Sequence, residues 1–466
     1  MKRFERLAAE LAALVESGVL RPGERLPSTR ALARTHGVSP ATATQALHLL
    51  EDRGVVKARP RSGFYVSAHW RAAQAPGTTE PTAAAAPLDV SELVFEVLGA
   101  MRKRNVVPLG SAFPAPTLFP LPRLAQALGR SARRMDPWRT VEAVSPGSAE
   151  LRRQVAKRYA MQGVAVRPDE IVVTAGALEA LNLCLQAVTR PGDVVAIESP
   201  AFYAALQSVE RLGLRAVEVA THPREGAELE SLERAMRGHG ARVCWLMPTL
   251  QNPLGATMPV PKKRELVALL ARHDAMLVED DVYSELHDGE PSPAAKAFDK
   301  AGRVMHCGSF SKSLAPGYRL GWCAPGRAFA QVERLKLTTS IATSLPVQDG
   351  IAEFLKQGGY DHHLRGLRAK LGAQRARMLQ AIAAEFPEGT RVTRPDGGYF
   401  VWVQLPGGVD AMELSRTALA RGVSVAPGPI FSAHRAFRDC LRINCGHPWT
   451  DAVARAVALL GRLARG

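Results

Sequence analysis

The chain has 466 residues, 46% apolar and 22% charged, with 60 Lys and Arg against 44 Asp and Glu and a net charge of +16. That balance excludes a disordered or fibrous chain, and no uncharged apolar run of about eighteen residues is present to span a membrane. A single ordinary core is also excluded at this length, and two or three domains are expected.

The opening "MKRFERLAAELAALVESGVL" places bases ahead of an apolar stretch. Glu10 and Glu16 interrupt it and no small-residue cleavage site follows, so a secretion signal is rejected and a cytoplasmic location expected. Cys184, Cys244, Cys307, Cys323, Cys440 and Cys445 are scattered without a CxxC pair, and the 12 histidines show no HExxH spacing. Reduced, packed thiols and no metal site are expected.

Residues 1–70 carry 11 Lys and Arg against 6 Asp and Glu, a net +5 that suits a polyanionic partner. Helical spacing in "FERLAAELAALVESGVL" predicts a first helix, and Gly18 with "RPGERLP" a turn. Ser28 is placed as N-cap of a second helix ending at Gly37, and Ser39 opens a third with Pro40 at its first position. "VVKARPRSGFYV" reads as a hairpin with a basic tip at Lys57, Arg59 and Arg61. Helix, glycine turn, helix and basic hairpin in this order describe a winged helix-turn-helix, in which the start of the later helix meets base edges and arginines take phosphates. A small interaction domain with solvated arginines is the plainer reading, and the order of elements counts against it.

Residues 71–90, "RAAQAPGTTEPTAAAAPLD" at their heart, have no apolar period and read as a linker kept semi-extended by Pro76, Pro81 and Pro87. From residue 91 to 466 short apolar runs alternate with helical stretches: "EIVVTAG", "DVVAIESP", "ARVCWLMPT", "AMLVEDDVY" and "RVMHCGSF". This is the pattern of βαβ units and a largely parallel sheet, whose ligand sits at the carboxyl ends of the strands.

The unusual residues cluster at those ends. In "GSFSKSLAPGYRLGW" a lone Lys312 stands among Ser309, Ser311 and Ser313, with Arg319 seven residues on. A lysine of lowered pKa serves most often as a Schiff-base nucleophile, and pyridoxal phosphate asks a protein for four services around it. Lys312 suits the aldehyde. Ser309, Ser311 and Arg319 suit the phosphate, with amides at the helix start from Gly176. Asp280 could reach the ring nitrogen, Tyr283 and Asn252 the 3-oxygen, and Phe202 could stack on the ring. Each signal alone is weak: a lysine in a serine-rich loop is usually surface, an "EDD" run is usually a solvated strand end, and Phe202 alone is a core residue. Their arrival in order, each at a strand terminus, makes a site the better reading.

Two resemblances follow from these motifs. "GVLRPGERLPSTRALARTHGVSPATATQALHLLEDRGVV" with "SGFYV" resembles the GntR-type winged helix-turn-helix, which implies Arg30, Ser39, Thr42 and Thr44 facing DNA and Ser62-Gly63 at the wing. Family members often have an arginine early in the recognition helix, where this chain has Pro40 and Ala41. "PLGSAFP", "SPGSAELRRQVAKRY", "TAGALEALNL", "ESPAFYAAL", "QNPLG", "EDDVYSEL", "SFSKSLAPGYRLGW", "GGYFVWVQLP" and "LRINCG" resemble the fold-type I, aspartate aminotransferase-like family. That resemblance implies a large and a small subdomain, a cofactor phosphate cup over Gly176, Ala177 and Leu178, an α-carboxylate partner in Arg442, and backbone approach to substrate at Gly110. Leu178 replaces a frequent polar residue, and no tyrosine precedes Gly147, where family members often have one that reaches the partner subunit's phosphate.

A GntR-type head, linker and aminotransferase-like body together resemble the MocR subgroup of transcription regulators. The resemblance implies a homodimer on a double-stranded operator, with pyridoxal phosphate bound and an amino acid or other amino compound as effector. The competing expectation is a working aminotransferase with an accessory head, since Lys312, Asp280 and Arg442 are all intact; a pyridoxal phosphate carrier without a DNA role would leave residues 1–67 unexplained.

Overall fold

A computed structural model of the chain describes residues 3–52, 54–59, 62–67, 74–82, 84–100, 106–142 and 144–465. Arg61 and the expected head–linker junction at residues 70–71 lie outside these.

Three helices open the chain: α1 (Arg3–Glu16), α2 (Thr29–Thr35) and α3 (Pro40–Asp52). Ser28 accepts from the Ala31 amide at 3.2 Å and Ser39 from the Thr42 amide at 3.1 Å, so each later helix starts on a hydroxyl cap. Gly37, at φ +60°, makes the turn between them. Leu7, Leu11, Leu32, Leu47 and Leu50 close a small core, each contributing about 1.5–3 kcal/mol by leaving water. The antiparallel hairpin of β1 (Val56–Arg59) and β2 (Gly63–Val66) completes it, with Val56 and Val66 turned inward.

The body begins with β3 (Ala86–Pro87), β4 (Val107–Pro108), β5 (Val172–Thr174), β6 (Val194–Ser199), β7 (Arg215–His222) and β8 (Gly226–Ala227). It continues with β9 (Val243–Leu246), β10 (Met276–Asp280), β11 (Val304–Ser309) and β12 (Gly321–Ala324). In the large sheet the order is β3-β7-β6-β9-β10-β11-β12-β5, with β8 folded back on β7. Strands β7, β6, β9, β10 and β11 are parallel neighbours, as their continuous apolar runs demand. Strand β12 instead returns antiparallel, with Gly321 opposite Ser309, because the segment 310–320 turns back at the carboxyl edge. That turn carries Lys312 and Arg319. Separate apolar layers cover the two faces, one around Leu181, Ile197 and Val278, the other around Leu232, Leu266 and Leu277.

A second, antiparallel sheet follows from β13 (Arg391–Val392), β14 (Phe400–Gln404), β15 (Val423–Ser424), β16 (Ala426–Pro427) and β17 (Cys440–Asn444). Its order is β13-β14-β17-β16, while β15 pairs with β4. Val401, Ile443, Met378 and Leu460 centre its own core, which makes this the smaller subdomain.

Residues 74–82 and 84–90, read above as part of a linker, run along the body. The Gln74 carbonyl accepts from Val392 of β13 at 3.0 Å, and Ala86–Pro87 pair with Ala216 and Arg215 of β7. No described helix is long and apolar enough to cross a membrane.

Candidate functional site

Strands β6, β9, β10 and β11 are parallel neighbours in that order, so their pairing brings the ends at Ser199, Asp280 and Ser309 to one carboxyl edge of the sheet. Lys312 follows β11 and is 8% exposed. Its Nζ donates to the Ala112 carbonyl at 3.0 Å and lies 3.8 Å from the ring centre of Phe113. Burial and the nearby Arg442 charge push the ammonium down to about 7, against the opposing pull of Asp280. A neutral amine is thus accessible near physiological pH.

Asp280 is buried, and neither carboxylate oxygen has a hydrogen-bond partner. Burial, and then the like charge of Asp281, push it up to about 7; Lys312 works in the other direction. The indole N–H of Trp245, likewise unpaired, favours its charged form from close by. Two unpartnered oxygens at the base of a site are costly unless a donor is supplied from outside the chain.

Asn252 and Tyr283 meet on the other side, with Nδ2 donating to the phenol oxygen at 3.4 Å. Arg442, fully buried, gives Nη1 to Asn252 Oδ1 at 3.1 Å and Nη2 to the Gly110 carbonyl at 2.8 Å, while its Nε is unpaired. Phe202 packs beside Tyr203 with ring centres 4.7 Å apart and touches the aromatic groups around Tyr283 and Phe431.

Opposite them Arg319 closes over Gly176. Its Nη2 donates to the Ala175 carbonyl at 3.1 Å, and a Cβ on Gly176 would stand 2.6 Å from the guanidinium. Gly321 approaches the Gly176 carbonyl carbon equally closely, 2.6 Å for an added Cβ. Gly321 is therefore held to glycine by the backbone it meets, and Gly176 by its φ of +92°. Ser311 has an unpaired buried hydroxyl, and its amide donates to Ser309 Oγ at 3.4 Å. Ala177 begins the helix Ala177–Val188, and Leu178 beside it is 44% exposed.

Hydrogen bonds join Asn252, Tyr283, Arg442 and Gly110, and charge couples Lys312 to Asp280, Arg442 and Arg319, the last of which closes over Gly176. Residues 105–458 match the profile of aminotransferases of class I and II. The chain belongs to that family.

Residues 4–66 match the gntR family of bacterial regulatory proteins. The HTH-type transcriptional regulator YdcR of Escherichia coli K12 is 44% identical over 465 residues, covering 99% of both chains. A multiple substrate aminotransferase from Thermococcus profundus superposes with a TM-score of 0.73 at 30% identity, over 81% of this chain and 95% of the other. So does LysN, an α-aminoadipate aminotransferase of Thermus thermophilus solved with N-(5'-phosphopyridoxyl)-L-leucine, with a TM-score of 0.71 at 31% identity, over 81% and 99%. A gntR head on a class I and II aminotransferase body is the composition of an HTH-type transcriptional regulator.

In this aminotransferase body several site residues escaped the sequence reading. The Ala112 carbonyl, held also by the Tyr399 hydroxyl at 3.1 Å, and Phe113 cover Lys312. Glu179 braces the cup: it accepts from the Ala175 amide at 2.5 Å, from buried Lys336 at 2.9 Å and from Ser340 at 2.6 Å. Asp281 accepts from His306 Nε2 at 2.9 Å, and His306 Nδ1 meets the Tyr159 hydroxyl at 2.7 Å. The third acid of "EDD" is thus buried in a polar chain, not solvated. Ala112, Phe113, Glu179 and Asp281 lie inside motifs quoted from the sequence, but nothing in those motifs assigned them to the site. Among the described residues no group of three His, Cys, Asp or Glu is placed to hold a metal ion.

In the head, Arg30 and Ser39 are exposed at the starts of α2 and α3. Thr42 Oγ1 lies 2.9 Å from Ser39 Oγ, and the Thr44 hydroxyl donates back to the Pro40 carbonyl at 2.9 Å. Arg59 stacks over Tyr65 at 4.2 Å, Ser62 Oγ meets the Tyr65 hydroxyl at 2.6 Å, and Gly63 has φ +101°. Arg25, unremarked in sequence, bridges to Tyr65 beside Gly63.

Proposed function

We propose that the chain is a MocR-type regulator: a cytoplasmic homodimer that binds an operator through its gntR heads and pyridoxal phosphate, with an amino compound, in its bodies. The observation that carries the cofactor is buried Asp280, whose two unpartnered oxygens share a site with a lysine poised near neutrality. A protonated ring nitrogen would supply the missing donor. When bound, pyridoxal phosphate provides an aldehyde for amines and a ring that withdraws electrons.

The residues divide the work. Asp280 holds a proton at the ring nitrogen, and Asn252 and Tyr283 direct donors at the 3-oxygen. Ser309, Ser311, Arg319 and the amides of Gly176, Ala177 and Leu178 take the phosphate, and Phe202 orients the ring. Lys312 Nζ would hold the aldehyde end of the group, and its buried amine is the base placed to move a proton there. Arg442 Nε faces a carboxylate of the amino compound near the Gly110 backbone. In the head, Arg30, Ser39, Thr42, Thr44, Arg59, Arg61, Ser62 and Gly63 contact DNA. A ligand that prefers one arrangement of the body shifts operator affinity by that preference.

The test is a visible absorption spectrum of the purified protein with added pyridoxal phosphate, wild type beside Lys312→Ala. A band that requires the lysine is expected, and its absence from the wild type overturns the cofactor reading. Titrating amino acids into the same sample separates the regulator from an aminotransferase. A stable or slowly changing spectrum marks a sensor; rapid loss of the band and its return with a keto acid marks an enzyme.

A further inference from the structure

We infer that Thr79, a residue of the segment joining head to body, is a positioning residue for the cofactor site, so that the connection to the head is part of the site's own scaffold. This rests on the pyridoxal phosphate reading above.

The Thr79 hydroxyl donates to the Ser199 carbonyl at 2.6 Å and accepts from the Thr221 amide at 2.9 Å, while the Thr79 amide donates to the Thr221 carbonyl at 3.3 Å. Ser199 and Thr221 are themselves tied, Ser199 N–H to Thr221 Oγ1 at 3.1 Å, and both are buried. One exposed segment thus ends in a three-residue knot at the carboxyl ends of β6 and β7. A surface strand that only spanned a gap would have no need to saturate a buried carbonyl.

Ser199 begins the segment that delivers Phe202, and each residue before it is held by a different part of the chain. Thr79 holds Ser199. Gln251, next to Asn252, donates to the Pro200 carbonyl at 2.7 Å. The Ala201 amide donates to the Phe431 carbonyl at 2.8 Å, on the side of Arg442. Phe202 is therefore aimed by three clamps, and one of them is the linker. Upstream, Gln74 is bonded to Val392 of the smaller subdomain. Between 74 and 87 the segment touches both subdomains and the base of the Phe202 loop. A ligand that fixes Phe202 must stabilise the knot, and by reciprocity a pull on the segment from the head must alter ligand affinity.

The experiment uses the full-length chain and pyridoxal phosphate as probe. Hydrogen–deuterium exchange is followed in peptides covering 74–82 and 215–222, with and without the cofactor, in wild type, Thr79→Val and Thr79→Ser. Slower exchange of both peptides in the wild type on adding cofactor is expected. Thr79→Val is expected to lose that response and bind the cofactor about threefold to tenfold more weakly, the scale of one or two hydrogen bonds; Thr79→Ser retains both. Wild-type exchange indifferent to a cofactor that binds, or unchanged affinity in Thr79→Val, overturns the inference while leaving the cofactor reading intact. A wild type with no lysine-dependent band overturns both.

Discussion

Arg442 and Asn252 are joined across 190 residues of sequence by a 3.1 Å hydrogen bond between guanidinium and amide oxygen. That bond, with the Gly110 carbonyl at 2.8 Å on the other nitrogen, fixes the guanidinium plane and leaves buried Nε as an unspent donor. A single carboxylate can take it in charge-assisted fashion. Arg442→Gln is expected to weaken amino acid binding about 10- to 100-fold, while an amine lacking the carboxylate binds as it does to the wild type. Paired spectral titrations with an amino acid and its decarboxylated amine check this; equal losses for both would remove Arg442 from carboxylate recognition.

Asp280 and Lys312 give the cofactor-free protein two opposite pH windows. Between the ordinary carboxylate value of 3.8 and about 7, folded Asp280 keeps a proton that the unfolded chain has released, so stability falls as pH rises through that window. Between about 7 and the ordinary ammonium value of 10.5, unfolded Lys312 holds a proton that the folded chain lacks, so stability rises with pH there. Melting temperatures against pH should show Asp280→Asn flattening the acidic limb and Lys312→Met the alkaline one.

Gly321 lies against the backbone of Gly176, where an added Cβ would sit 2.6 Å from a carbonyl carbon and 2.7 Å from the Ala177 amide nitrogen. Overpacking of this kind costs about 1–3 kcal/mol. Gly321→Ala should displace the cup and lower pyridoxal phosphate affinity about tenfold in a spectral titration. Affinity equal to the wild type would mean the cup does not meet the phosphate.

Arg59 stacks on Tyr65 at the exposed wing. If it contacts phosphate, as proposed, it carries no sequence information, and Arg59→Ala should weaken binding to any duplex nearly uniformly. It should also reduce the slope of log affinity against log salt by about 1. Fluorescence anisotropy with a random duplex at rising salt measures both; an unchanged slope places the residue off the DNA.

Local chemistry by itself determined much of this protein. Ser28 and Ser39 announced helix starts because a cap needs only a hydroxyl three residues from an amide. The strand carrying Asp280 and the turn carrying Lys312 and Arg319 were legible because a buried parallel strand is a continuous apolar run, and several such runs end in polar residues in the order a ligand site needs. Tertiary structure alone decided the rest. The Ala112 carbonyl reaches Lys312 across 200 residues, Lys336 neutralises Glu179 across 157, and Thr79 grips Ser199 across 120. Such pairs leave no period or spacing in the sequence, since a buried donor accepts any partner that the packing of distant strands brings within 3 Å or so. The sequence "GTTEP" had the composition of a free linker, and only the edge of the folded sheet, with a carbonyl to satisfy, gave its second threonine a place.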